Sequence, residues 1–131
     1  GMRGWPYRAT LDGEQVEGID LAFAVQNGPT YGGGFRICPD AVPDDGFLDI
    51  CYSTARPSVP HSLVLFGLIR VGRHTFSRRL SLARVRHVEV EFPGEEQPPC
   101  QADGERVEAD RYVIDVVPAA LRVIVPADCS W

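Results

Sequence analysis

At 131 residues and 44% hydrophobic content, the chain forms one domain with enough apolar material to bury a working core. Its formal net charge is −5, with acidic and basic residues mixed along most of the sequence. No basic stripe can therefore follow a phosphate backbone, which excludes nucleic acid as a partner.

The opening Gly1-Met2 reads as a remnant ahead of a chosen domain start, and no charged and apolar leader announces a signal peptide. Asp12-Gly13 is a dipeptide suited to a tight hairpin turn. Leu21, Phe23 and Val25 then share one face of a strand. Gly32-Gly33-Gly34 lacks the Lys-Ser/Thr of a phosphate-binding loop, and no helix is expected after it. It reads as a place where the backbone passes close to a neighbour, with Asn27 bonding the same turn.

Asp44-Asp45-Gly46 lies between two β runs, where hard oxygen ligands could hold magnesium or calcium and where an ordinary turn is the other reading. Ser62 to Arg70 breaks the period-two pattern with a nearly unbroken apolar run, preceded by Pro57 and Pro60 and closed by Gly72. This predicts a short helix, much too short to span a bilayer, that packs on the sheets as the default reading, with contact to a membrane surface as the other.

Val88, Val90 and Phe92 alternate with Glu89 and Glu91, and Glu95 to Pro99 reads as a loop. A second Asp-Gly turn stands at Asp103-Gly104. Tyr112, Ile114 and Val116 alternate with Val113, Asp115 and Val117, and Leu121, Val123 and Val125 predict a closing strand after Pro118. The fold class that follows is all-β: a two-layer, mostly antiparallel β-sandwich with one short helix.

Cys38, Cys51, Cys100 and Cys129 show no C-x-x-C pairing and read as free thiols of a cytosolic protein. His61, His74 and His87 form neither a metal-ligand spacing nor a nucleophile–base pair, so structural or solvent-facing roles are expected. Trp5, Tyr7, Tyr31 and Trp131 read as core or edge aromatics.

Three motifs in order resemble the bacterial diacylglycerol kinase and sphingosine kinase-like lipid kinases. They are Asn27-Gly28-Pro29-Thr30-Tyr31-Gly32-Gly33-Gly34 with Phe35 to Ala41 after it, Pro43 to Ile50, and Gln101-Ala102-Asp103-Gly104-Glu105. Gly72-Arg73-His74 is similar to the family's Gly-Lys-His turn, and the Pro118 to Pro126 text completes the likeness over roughly Gly18 to Pro126.

The resemblance implies that residues 1–131 are the C-terminal β-sandwich of a two-domain enzyme. The sequence holds no Gly-Gly-Asp-Gly-Thr nucleotide loop, so the N-terminal nucleotide-binding domain is expected elsewhere in the parent protein and the isolated chain is expected to be inactive. The resemblance also implies a general base at Glu105 with Asp103 positioning it or a magnesium ion, and a structural Mg2+ held by Asp45 and the main-chain oxygens of Leu48 and Ile50. ATP would be co-substrate, bound mainly by the other domain, and a lipid alcohol such as diacylglycerol would be the acceptor. A cytoplasmic protein, peripheral contact with the inner membrane surface, and self-association through unpaired strand edges complete the expectation. A non-catalytic β-sandwich that binds a ligand or docks a protein is the alternative, and it would give Glu105 no role.

Overall fold

The structure, a computed structural model, describes residues 4–20, 22–56 and 58–130. Gly1, Met2, Arg3, Leu21, Pro57 and Trp131 lie outside the described residues, and with them the readings placed on those positions. In chain order come β1 (Trp5–Leu11), β2 (Glu14–Asp20), β3 (Phe23–Gln26), β4 (Leu48–Ser53), α1 (Val59–Arg70), a 3-10 turn (His74–Phe76), β5 (Leu80–Val85), β6 (His87–Glu91), β7 (Cys100–Ala102), β8 (Glu105–Val107) and β9 (Arg111–Asp115).

Four strands in the order β2-β1-β6-β9 make one sheet, β3-β4-β5 make the second, and β7 with β8 form a separate hairpin. Every ladder is antiparallel. The expected all-β sandwich with one short helix is therefore what the chain forms.

Alternation builds the core between the sheets. Tyr7, Ala9 and Leu11 of β1 and Val88 and Val90 of β6 are buried on one side, against Leu48 and Ile50 of β4 and Val85 of β5 on the other. Phe92 joins them, and Tyr112, Ile114 and Val116 pack at the edge as their alternation predicts. β4 is buried on both faces, because Cys51 turns outward to meet Cys38 and Ala41 in a second cluster. The loop after β3 thus covers the far side of the second sheet. All four cysteines are free, and burial pushes the Cys38 thiol up to about 12 and the Cys51 thiol up to about 11, so both remain protonated packing groups.

The chain passes from one sheet to the other at Arg86, between β5 and β6, and Asp12 satisfies the backbone there. Its carboxylate accepts the amides of Arg86 (3.0 Å) and His87 (2.9 Å), and its own amide donates to the His87 carbonyl at 3.1 Å. A residue read only as a turn former therefore also caps the point where the strand changes sheets.

Two elements differ from expectation. The helix begins at Val59, three residues before the predicted start, because Pro60 sits in the first turn, where its missing N–H would have had no partner. Its end is a Schellman motif: the Arg73 amide donates to the Leu68 carbonyl at 2.9 Å and the Gly72 amide to the Ile69 carbonyl at 3.1 Å, with Gly72 at φ 72°.

The predicted closing strand is the larger correction. Leu121, Val123 and Val125 join no ladder, and Val117, Leu121, Val123, Ile124 and Val125 are exposed. The consecutive Val123-Ile124-Val125 suits a strand covered on both faces, and among the described residues no strand lies beside it.

Candidate functional site

Two of the three motifs meet. Asp103 and Gly104, with φ of 49° and 87°, form the two-residue turn of the β7–β8 hairpin, in which Gln101 faces Arg106 and Ala102 faces Glu105. Asp103 and Glu105 are both exposed at its tip. At its base, Cys100 packs against the core and the Tyr112 hydroxyl accepts the Ala109 amide at 3.0 Å, so the hairpin is anchored below.

The glycine motif supplies the hairpin's neighbour. Tyr31 and Phe35 exchange backbone hydrogen bonds of 2.8 and 3.0 Å around Gly32-Gly33-Gly34, and the Tyr31 hydroxyl donates to Gln101 Oε1 at 3.3 Å. Pairing parity puts Gln101 and Arg106 on one face of the hairpin and Glu105 with Ala102 on the other. The Tyr31 contact therefore braces the hairpin from the side away from Glu105.

Among the described residues a Cβ on Gly32, Gly33 or Gly34 would meet nothing within 4 Å, so a neighbour that needs the glycines would have to be the substrate or the other domain. What they supply is the left-handed backbone at Gly32 (φ 53°) and Gly34 (φ 89°) that lets the loop reverse.

On its other side this loop reaches α1. The Phe35 and Phe66 rings lie 4.9 Å apart, and the Arg36 amide donates to the Ile69 carbonyl at 3.1 Å. His74 is fully buried, with Nε2 at 2.7 Å from the Ile37 carbonyl, which matches the structural role expected of it. His61 is exposed, and His87 lies on the outer face of its sheet between Asp115 and Glu89.

The Asp45 turn forms a second group. Its Oδ1 accepts the Phe47 amide at 2.9 Å, while Oδ2 is buried without a hydrogen-bond partner. Facing it is Arg84, whose Nε lies 3.7 Å from Asp45 Oδ2 and donates to Asp49 Oδ1 at 3.3 Å, while a second guanidinium nitrogen donates to the Asp40 carbonyl at 2.8 Å. Burial pushes the Asp49 carboxyl above the ordinary carboxylate range, and Arg84 opposes part of that shift.

Sequence reasoning missed Arg84 and Asp49. The signal was the register Asp49↔Arg84 between β4 and β5, visible only once those strands are paired.

Asp45 Oδ2, a carboxylate oxygen with no hydrogen-bond partner among the described residues, is the kind of ligand a hard cation such as Mg2+ takes, but Arg84 stands 3.7 Å from it and Leu48 and Ile50 lie in the β4 ladders. Among the described residues no group of three or more His, Cys, Asp or Glu side chains gathers for a metal, so an ion at this turn would depend on the Leu48 and Ile50 carbonyls as much as on Asp45. No hydrogen bond or ion pair is seen between the Asp45 turn and the Asp103–Glu105 hairpin among the described residues.

The sequence matches, over residues 1–125, the family described as the YegS C-terminal NAD kinase beta sandwich-like domain. It is 38% identical over 126 residues to a protein of Mycobacterium tuberculosis named diacylglycerol kinase, covering 95% of this chain and 40% of that protein. It is 32% identical over 128 residues to a protein of Stenotrophomonas maltophilia named "Probable lipid kinase YegS-like", with the same coverage of 95% and 40%. The chain thus spans about 40% of the length of these relatives. A crystal structure of a diacylglycerol kinase from Bacillus anthracis superposes with a TM-score of 0.57 at 18% identity, over 90% of this chain and 44% of that one, which supports the fold.

Proposed function

The chain belongs to the family of the YegS C-terminal NAD kinase beta sandwich-like domain, and from that premise we propose that it is the C-terminal domain of an ATP-dependent lipid kinase that phosphorylates a lipid hydroxyl. Relatives named for diacylglycerol and lipid kinase activity support the reaction class, and their greater length supports a second domain that binds the nucleotide.

The observation that carries the reading is the exposed Glu105, set at the tip of a hairpin that is anchored at its base and braced by Tyr31. In the proposed reaction the acceptor hydroxyl attacks the γ-phosphorus of ATP. The new O–P bond forms as the bond to the ADP oxygen breaks, and the hydroxyl proton passes to the Glu105 carboxylate. A carboxylate on a rigid hairpin can be held beside the attacking oxygen, and Asp103 at the turn positions it.

Asp45 with the Leu48 and Ile50 carbonyls would hold Mg2+ in a structural role, tying the loop after β3 to the start of β4. Divalent metal with ATP would supply charge stabilisation for the transferred phosphoryl group.

The acceptor's home in a bilayer would place the protein in the cytoplasm, in peripheral contact with the inner membrane surface. Among the described residues no helix is long and apolar enough to cross a membrane. The exposed 121–125 segment is suited to cover by the parent's nucleotide-binding domain or by a second copy, giving a homo-oligomer.

The reading is tested by incubating the full-length parent and this chain separately with labelled ATP, Mg2+ and diacylglycerol micelles. Labelled lipid from the parent and none from the chain is the expected result. Transfer by the isolated chain would show that the nucleotide site lies within these residues.

A further inference from the structure

Helix α1 is apolar on two opposite sides. Leu65 is its buried residue, packed toward the body of the domain. On the outward side Val59, Leu63, Phe66 and Arg70 recur at helical spacing and form one stripe, with Val64 at its flank. Val59 is 53%, Leu63 72% and Phe66 61% exposed, an unusual concentration of large apolar side chains on the wet face of a helix.

The charge around this stripe has one sign. The helix contains no Asp or Glu, and its C-terminal end is ringed by Arg36, Arg70 and Arg73, all exposed. Packing brings them together: Arg70 lies over the Phe35 ring at 5.8 Å, and Gly72 sits so close to Arg36 that a Cβ on the glycine would stand 3.4 Å from the arginine's own Cβ. None of the three is paired with a carboxylate among the described residues, although the chain as a whole carries −5.

We propose that this face of α1 docks on a membrane surface that contains anionic lipid. Leu63, Phe66 and Val59 would enter the headgroup boundary, and the three arginines would meet lipid phosphates. An apolar stripe joined to a cationic end is the pattern of an interfacial helix, whose binding sums buried apolar area and attraction to anionic lipid. A protein partner would need an acidic rim to match the arginines, whereas an anionic bilayer offers that charge at every point of its surface. The proposal deepens the lipid-kinase reading by naming the surface that brings the domain to its acceptor, but its test reads binding without turnover, so either can fail alone.

The test is co-sedimentation of the 131-residue chain with vesicles of phosphatidylcholine alone and of phosphatidylcholine mixed with phosphatidylglycerol. The chain should bind the mixed vesicles, bind neutral vesicles much less, and be released by added salt. Leu63→Ser with Phe66→Ser should weaken binding by about tenfold or more. Arg70→Ala with Arg73→Ala should remove the preference for phosphatidylglycerol. Both pairs are exposed, so circular dichroism should stay near that of the unsubstituted chain, with Tm lowered only slightly by loss of the Phe35–Phe66 and Arg70–Phe35 contacts. No binding to either vesicle, equal binding to both, or undiminished binding by the Leu63/Phe66 variant would overturn the proposal. A concentration-dependent dimer lost in the Leu63/Phe66 variant, with no vesicle binding, would overturn it by assigning the stripe to a second copy.

Discussion

The Tyr31 hydroxyl donates to Gln101 Oε1 across 70 residues of sequence, and this bond joins the glycine loop to the hairpin that carries Glu105. It is exposed and 3.3 Å long, so its net worth to stability is small, under about 1 kcal/mol. Tyr31→Phe should therefore leave Tm nearly unchanged while amides of residues 100–107 exchange several-fold faster than in the unsubstituted chain. Core amides of β1 and β6 should not change. Equal exchange in the hairpin would show that the loop does not brace it.

Asp20 gives the chain a pH dependence of known sign. Burial pushes its carboxyl up to about 6 from 3.8, and its Oδ1 is buried with no hydrogen-bond partner. The folded state thus holds this proton more tightly than the unfolded state, so the site's contribution to stability is present at low pH and is lost as pH rises from 3.8 through about 6. Asp20→Asn removes the titration and keeps the shape. Its Tm should exceed that of the unsubstituted chain by a few degrees at neutral pH, and the gap should narrow on acidification toward 3.8. A gap independent of pH would contradict this account.

Arg84 faces the buried Asp49 and the half-buried Asp45, so its loss would leave both carboxylates without their counter-charge. Arg84→Met should destabilise the chain by about 1–3 kcal/mol at neutral pH. Acid should lessen the effect, because a protonated Asp49 no longer needs the guanidinium. Urea melts at several pH values check both statements, and a cost that grew on acidification would contradict them.

The magnesium assignment separates from the turn at Asp45. Asn at this position can still accept the Phe47 amide but is a poorer ligand for a hard cation. Mg2+ should raise the Tm of the unsubstituted chain and leave Asp45→Asn unmoved, while the two have similar Tm in chelator. A Tm that ignores Mg2+ in both would leave Arg84 as the cation of this turn.

Much of the fold is legible in the sequence because alternation is a local property. Val88, Val90 and Phe92 declare their buried face without knowledge of any partner, and Asp12-Gly13 and Asp103-Gly104 declare their turns. The expectations that fail are those that depend on partners. Leu121, Val123 and Val125 have the pattern of a strand, but a strand exists only beside another. The helix start is misplaced when Pro60 is read as a boundary, whereas a first-turn proline is compatible with the helix.

The candidate site shows the same division. Asp103, Glu105 and Asp45 stand in motifs readable along the chain. Arg84 needs the β4–β5 register, and the Tyr31–Gln101 bond needs the fold to bring two motifs together.

The central claim, that this domain supplies the base for phosphoryl transfer, is tested most directly by the turnover of Glu105→Gln in the full-length parent. Gln keeps the size of the side chain and leaves the Asp103-Gly104 turn intact while removing the proton acceptor. Turnover should fall by about 10²- to 10⁴-fold with the lipid KM moved far less, and Asp103→Asn should lose less because Asn tolerates the same backbone. A stable Glu105→Gln enzyme with near-normal turnover would contradict the account and confine the domain to holding the lipid and closing the cleft.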